Sequence, residues 1–219
     1  MGIKRRMSGR TRLYLKNMGA LGWVPPVVIN GLIPAVLVTG SLHYSPGSEE
    51  LDVLAMQTVQ ALMPLFSIWW SLFLLRDYVE ADGRELLHIA VRKRALREAV
   101  KPFLIAMADI LLVLGLGSVL APVLIFEVVR ILPACIFLFG LSYCLVYLLH
   151  SISMALFGVI LYTLVNWFAP ANISVFPLYM SNDPLELGQL LTLCLPLIAA
   201  GFALTVLGVL CNREFFDYG

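Results

Sequence analysis

The chain has 219 residues, of which 60% are hydrophobic and only 13% are charged, and its mean hydropathy is +0.90. A soluble domain carries about 25% charged residues, so this composition excludes an ordinary soluble domain and indicates an integral membrane protein. The net charge of +1 provides no global basic field that would favour nucleic acid as a partner.

Residues 1–19 form a basic segment in front of the apolar part of the chain. It contains six cations interleaved with apolar side chains: Lys4, Arg5, Arg6, Arg10, Arg12 and Lys16. This mixture is typical of a helix lying in the headgroup layer, and equally of a disordered tail that only sets the topology. The segment lacks an early apolar run and a small-residue cleavage site, so we expect no cleaved signal peptide.

Residues 20–219 are interpreted as one transmembrane domain with six apolar segments. A helix needs about 20 apolar residues to cross the hydrocarbon core. The segments are Ala20–Leu42, Asp52–Leu75, Pro102–Phe126, Val128–Leu149, Ser151–Ala169 and Gln189–Cys211. They predict an all-α integral membrane protein with a bundle of six transmembrane helices.

The positions of the cations predict the orientation of this bundle. Fourteen of the 15 Lys and Arg residues lie before the first segment, between the second and third, or after the sixth, and Arg130 is the exception. Cations are retained on the cytoplasmic side. We therefore expect both termini in the cytoplasm of a cell with a bacterial or archaeal type of inner membrane. The loop at 170–188 would be external, and its apolar content suits either a re-entrant segment or packing on the protein surface.

Few charged residues lie within the apolar segments. Asp109 is the clearest, and a carboxylate at mid-bilayer costs about 2.5–3.5 kcal/mol, so it should face the bundle or bond to another helix. Because it follows Pro102 by about two turns, we expect it near the cytoplasmic interface, either as a structural contact or as a polar intramembrane site. Glu127 and Arg130 are three residues apart, and we expect a surface ion pair there, with an external gate as the alternative.

Small residues and prolines in the apolar segments predict how the helices pack. Pairs of small residues four apart are typical of close helix contacts. They are Gly117 and Ala121 in the third segment and Ala199 and Ala203 in the sixth, with Gly201 and Gly208 nearby. Prolines within the segments predict kinked helices. Trp69 and Trp70 are expected to be interfacial anchors.

The sequence contains no recognisable motif for catalysis, nucleotide binding or metal binding. There is no P-loop, GxSxG or HExxH pattern, and the three histidines form no ligand pair. The four cysteines lie in apolar runs without CxxC spacing, which favours buried thiols over disulfides or a metal site. We expect no catalytic residues, no metal and no cofactor in this chain.

Arg76–Lys101 is the one long charged stretch between apolar segments, and we predict a helix at about 82–98 within it. Asp82 can cap that helix, with Glu85 three residues later. Leu86 and Leu87 would lie on its apolar face. A membrane-surface helix binding anionic lipid accounts for its cations, but not for its acidic beginning.

This stretch resembles the permease subunits of type 2 ABC exporters, in which an acidic residue, a glycine, Glu-Leu-Leu and a basic cluster follow the second of six spans. The residues that carry the resemblance are Glu80, Asp82, Gly83, Glu85, Leu86, Leu87, Arg92 and Arg94. The family usually has a proline after Glu-Leu-Leu, where this chain has Ile89-Ala90-Val91.

The resemblance implies that these residues form a coupling helix, which docks onto a separate ABC ATPase subunit holding ATP and Mg. It also implies a second permease, identical or homologous, beside this one in the membrane lipid. The cargo would be amphipathic or hydrophobic, such as a peptide, a drug or a lipid, or it would be related to haem. A membrane enzyme or assembly factor acting through Asp109 is the alternative from a different class, followed by an ion-coupled channel or transporter.

Overall fold

The computed structural model describes residues 19–45, 47–80, 95–168, 178, 192 and 194–214. Regular structure in these ranges is entirely helical. The helices are α1 Gly19–His43, α2 Glu49–Ser67, α3 Trp69–Val79, α4 Ala95–Gly117, α5 Leu124–Leu149, α6 Ile152–Phe168 and α7 Leu195–Glu214.

Five stretches of the described chain are long and apolar enough to cross a membrane. They are Gly19–His43, Glu49–Arg76, Ala95–Gly117, Leu124–Leu149 and Leu195–Asn212. The prediction of a helical, multi-pass membrane protein is therefore confirmed. Helix α6 has 17 residues, and at 1.5 Å per residue its length of about 25 Å is short of the hydrocarbon thickness of about 30 Å. The sixth crossing stays a prediction.

Two predicted boundaries are wrong. The hairpin between the third and fourth segments lies at residues 118–123, before Glu127 rather than at it. In addition, α4 begins at Ala95 and runs through Pro102, whereas the third segment was predicted to begin at Pro102, separate from the helix at about 82–98. Proline removes one backbone donor, but contacts with neighbouring helices can compensate inside a bundle. Here Pro102 is buried, and α3 packs beside it, with the Ser71 hydroxyl donating to the Ala99 carbonyl of α4 at 2.9 Å; this carbonyl is not the one that Pro102 leaves without a donor.

The predicted kink in the second segment is a break between α2 and α3. Pro64 lies inside α2, the Ser67 hydroxyl donates to its carbonyl at 2.7 Å, and the chain turns at Ile68. The indole N–H groups of Trp69 and Trp70 then donate to backbone carbonyls at the start of α1, each at 3.0 Å. These two tryptophans thus tie α3 to α1, a role beyond that of interfacial anchors.

Helix α5 is the centre of the bundle and packs on α2, α4, α6 and α7. Its contact with α7 is the closest, because glycines face each other. A Cβ atom on Gly140 would overlap the backbone of Gly201, and one on Gly208 would lie 3.0 Å from the Cα of Cys144. Close packing of the last segment is confirmed at Gly201, which faces Gly140, and at Gly208, which faces Tyr143 and Cys144.

Several predicted features lie outside the described residues. These are the basic segment 1–18, the part of the coupling helix at 82–94, and the loop 170–188 apart from Leu178. Leu178 is buried, and its backbone N–H donates to the Asn166 side chain at 3.3 Å. This loop residue therefore packs against the core.

Candidate functional site

Helix α1 changes its winding at Val28–Leu32, which forms a π-helical turn between α-helical segments. Pro34 explains part of this change, since it has no N–H to donate to the carbonyl of Asn30, four residues earlier. The N–H of Ile33 bonds instead to the Val28 carbonyl, five residues back. Single π-helical turns are frequent at functional sites, and this one contains Asn30.

Asn30 bonds to Asp109 across two helices. Its amide nitrogen donates to Oδ2 of Asp109 at 2.9 Å, which joins α1 to α4. Asn30 is exposed and Asp109 is half-buried. The expectation that Asp109 bonds to another helix is confirmed.

Asp109 is the fifteenth of the 23 residues of α4, which is helical from Ala95. Its expected place near the cytoplasmic interface stays a prediction.

A groove of about 350 Å³ runs between α1 and α4 next to this pair. Asn30 lies at its polar end, and apolar side chains such as Val38, Val113 and Leu116 line the rest. Residues four apart on a helix share a face. Asp109 is one turn before Val113 on α4; it does not line the groove itself, but it is hydrogen-bonded to Asn30, which does.

The second polar group in the bundle is buried, which corrects the expected surface ion pair. Oε1 of Glu127 lies 3.1 Å from a guanidinium nitrogen of Arg130, and the two side chains are 1% and 3% exposed. Gln60 of α2 donates to the other carboxylate oxygen at 2.7 Å. The ion pair is buried because α2 packs over the first turns of α5, which the linear sequence did not reveal. The alternative of an external gate at this pair stays untested.

Glu80 is the last described residue before the predicted coupling segment, and it holds the start of α6. Its Oε1 accepts from the Ile152 backbone N–H at 2.7 Å and from the Ser151 hydroxyl at 3.2 Å. Arg76 lies 3.8 Å from its other oxygen. A carboxylate at this position satisfies donors that a helix leaves free at its N-terminus. The remaining predicted coupling residues are outside the described residues: Asp82, Gly83, Glu85, Leu86, Leu87, Arg92 and Arg94.

Sequence reasoning missed Asn30 and Gln60. Each is an uncharged amide within an apolar segment, and that is the signal that could have identified it. Buried polar groups need a partner, and each amide has a carboxylate from a distant part of the chain.

The thiols and the acidic residues form no metal site in the part of the chain that the structure describes. Cys135, Cys144 and Cys194 are buried and Cys211 is half-buried, all as free thiols. The interpretation of the cysteines as buried thiols is confirmed for the first three.

Comparison with protein families, curated proteins and solved structures gives no significant match. The fold and the polar pairs therefore define the class of protein only as a helical, multi-pass membrane protein.

Proposed function

We propose that the chain is the transmembrane permease subunit of an ATP-driven ABC exporter. It would work as a dimer of identical or homologous permeases, in the inner membrane of a bacterial or archaeal cell. ATP and Mg would be held by separate ATPase subunits, so this chain would be no enzyme in itself. The cargo would be amphipathic or hydrophobic.

The order of charged and apolar stretches supports this proposal. The acidic and basic stretch from Arg76 to Lys101 connects α3 to α4, and these two helices pack together beside it. A charged segment of this length between two membrane helices would suit the docking of a soluble subunit. Because cations are retained in the cytoplasm, this stretch would lie on the cytoplasmic side of the membrane, where an ATPase subunit could bind it.

The observation that carries the proposal furthest is the contact between Glu80 and α6. A displacement of the segment after Glu80 would act on α3 and α4, which are continuous with it. Through the 2.7 Å hydrogen bond to Ile152 it would act on α6 as well. An ATPase docked at Asp82–Arg94 could therefore shift three helices of the bundle together.

Affinity purification tests the proposal. The tagged chain is isolated in mild detergent from membranes of its own source, and co-purifying proteins are identified by mass spectrometry. We expect an ABC ATPase and ATP hydrolysis by the complex. The double variant Glu85→Arg with Leu86→Asp should lose both, because it reverses a charge and disrupts the apolar docking face.

A control variant makes the same chemical changes at the other end of the bundle. It combines Glu50→Arg with Leu42→Asp, and both of these residues are exposed. This control should keep the ATPase. If both double variants keep it, the coupling role of 82–98 is wrong. If no ATPase accompanies the unmodified chain, a membrane enzyme or assembly factor acting through Asp109 becomes the better account.

A further inference from the structure

The Asp109 carboxylate lies next to the groove between α1 and α4, and no described cation neutralises its charge. Among the described residues Asp109 has one hydrogen-bond partner, the neutral amide of Asn30, and no cation at ion-pair distance. Carboxylates within transmembrane helices almost always have a partner or face a water-filled cavity. Within the described structure, the Asp109 carboxylate can therefore still form an ion pair or accept a hydrogen bond from a ligand.

The shape of the groove limits which ligand that is. Its volume of about 350 Å³ is at the lower end of the range for small-molecule sites, about 300–1,000 Å³. Val38, Val113 and Leu116 offer apolar walls along it. A single alkyl chain suits such a channel, and its head would lie next to Asn30 and Asp109.

A second copy of the described bundle fits this face less well. Of the cationic side chains that the structure describes, Arg130 is buried against Glu127, and Arg76 and Lys101 have their own carboxylates at 3.8 Å and 2.7 Å. Arg97 is exposed on α4, but it lies 12 residues before Asp109, about 18 Å along the helix axis. A second bundle would therefore cover Asp109 without offering it an opposite charge.

We propose that the groove between α1 and α4 binds an amphipathic cation, an amine or quaternary ammonium on a single alkyl chain. The alkyl chain lies between Val38 and Leu116, the ammonium group contacts the Asp109 carboxylate, and Asn30 holds that carboxylate in place. The assignment deepens the proposed function and rests on it for the statement that this ligand is the exported cargo.

The test uses two photoreactive probes in phosphatidylcholine nanodiscs that contain the full chain. One probe is a dodecylamine with a diazirine in its chain, and the other has the same chain with a sulfonate head. Labelled residues are identified by mass spectrometry. We expect the amine to label residues of the groove at least about tenfold more than the sulfonate, because each 1.4 kcal/mol of charge interaction is tenfold in binding.

Variants separate the contribution of the charge from that of the groove. Asp109→Asn keeps an acceptor for Asn30 and should remove the preference for the amine. Glu50→Gln removes an exposed carboxylate elsewhere and should leave the preference unchanged. Val38→Trp narrows the groove and should reduce labelling by both probes.

Equal labelling of the unmodified protein by both probes overturns the assignment, and so does an undiminished preference in Asp109→Asn. Efficient cross-linking of two copies through Val38→Cys without amine labelling also overturns it, and would show that this face is a dimer contact. Because these experiments use no ATPase, they can fail while the co-purification succeeds, and the reverse.

Discussion

The two carboxylates inside the bundle have opposite surroundings. Around α5, which we call the α5 core, Glu127 has both a cation and an amide as partners and is 1% exposed. Between α1 and α4, which we call the α1–α4 face, Asp109 is half-buried and has only a neutral amide. In the first arrangement the carboxylate is paired with an opposite charge inside the bundle, whereas in the second no described cation pairs with it.

The glycines of the two regions differ in the same way. In the α5 core, a Cβ on Gly140 would overlap backbone atoms of α7. On the α1–α4 face, Gly117 lines the groove, and a Cβ there would lie 2.9 Å from the Leu124 side chain and 3.2 Å from that of Leu37. A Cβ on the exposed Gly31 or Gly115 would meet nothing within 4 Å. The α5 core is therefore packed to the backbone, whereas the glycines of the α1–α4 face meet only side chains or open space.

The largest expected effect is that of Arg130→Met. Removing one partner of a buried ion pair leaves the other charge uncompensated and costs about 3–5 kcal/mol. The free energy of unfolding is measured by titration with a denaturing detergent. The double variant Arg130→Met with Glu127→Gln should recover most of the loss, because the new amide still accepts from Gln60. A loss below about 1 kcal/mol for Arg130→Met would show that Glu127 and Arg130 are not a buried ion pair as described.

A second effect compares glycines in the two regions. Gly140→Ala should lower the free energy of unfolding by about 1–3 kcal/mol, because overpacking here meets backbone atoms that cannot rotate away. Gly115→Ala is the matched control on α4 and should change it by less than about 0.5 kcal/mol. Thermal unfolding in mild detergent compares the two variants. Equal losses would mean that the two regions are packed alike.

A third effect tests whether Glu80 stabilises the first turn of α6. Glu80→Ala removes the acceptor of the Ile152 N–H, and loss of a helix cap costs about 0.5–2 kcal/mol. Hydrogen exchange should then be faster in the first turn of α6 and unchanged in the middle of α5. Glu80→Gln keeps an acceptor and should show a smaller change. Unchanged exchange at Ile152 in Glu80→Ala would remove the link between the charged segment and α6.

The smallest expected effect is that of Asn30→Ala. Its hydrogen bond to Asp109 is exposed, so the free energy of unfolding should fall by about 0.5–1.5 kcal/mol. The amine-labelling preference should fall as well, because Asp109 loses the side chain that orients it. A stability loss as large as that of Arg130→Met would mean that the pair on the α1–α4 face is structural, and the contrast between the regions would disappear.

The sequence was sufficient to predict a helical membrane protein. A helix that crosses the hydrocarbon core needs a long apolar run, and such runs are visible in the sequence. It correctly predicted that Glu127 and Arg130 form an ion pair. It placed that pair on the protein surface, whereas the structure buries it. Burial of that pair depends on α2 crossing over α5, and such a tertiary contact is not visible in a linear pattern.

The start of α4 and the partner of Asp109 could not be predicted from the sequence either. Pro102 is a local signal for a helix boundary, yet it is buried inside α4, which continues through it. The partner of Asp109 is Asn30, which is 79 residues away in sequence. What the sequence did identify is that Asp109 needs a partner at all.

ATP-driven transport tests the account most directly. The chain and its co-purifying ATPase are reconstituted in phosphatidylcholine vesicles, and movement of a fluorescent alkylamine is followed with and without ATP and Mg. We predict movement only with ATP and Mg, with loss in the double variant Glu85→Arg with Leu86→Asp and strong reduction in Asp109→Asn. Movement at the same rate without ATP, or none with a complex that hydrolyses ATP and binds the amine, would contradict the proposed exporter of amphipathic cations.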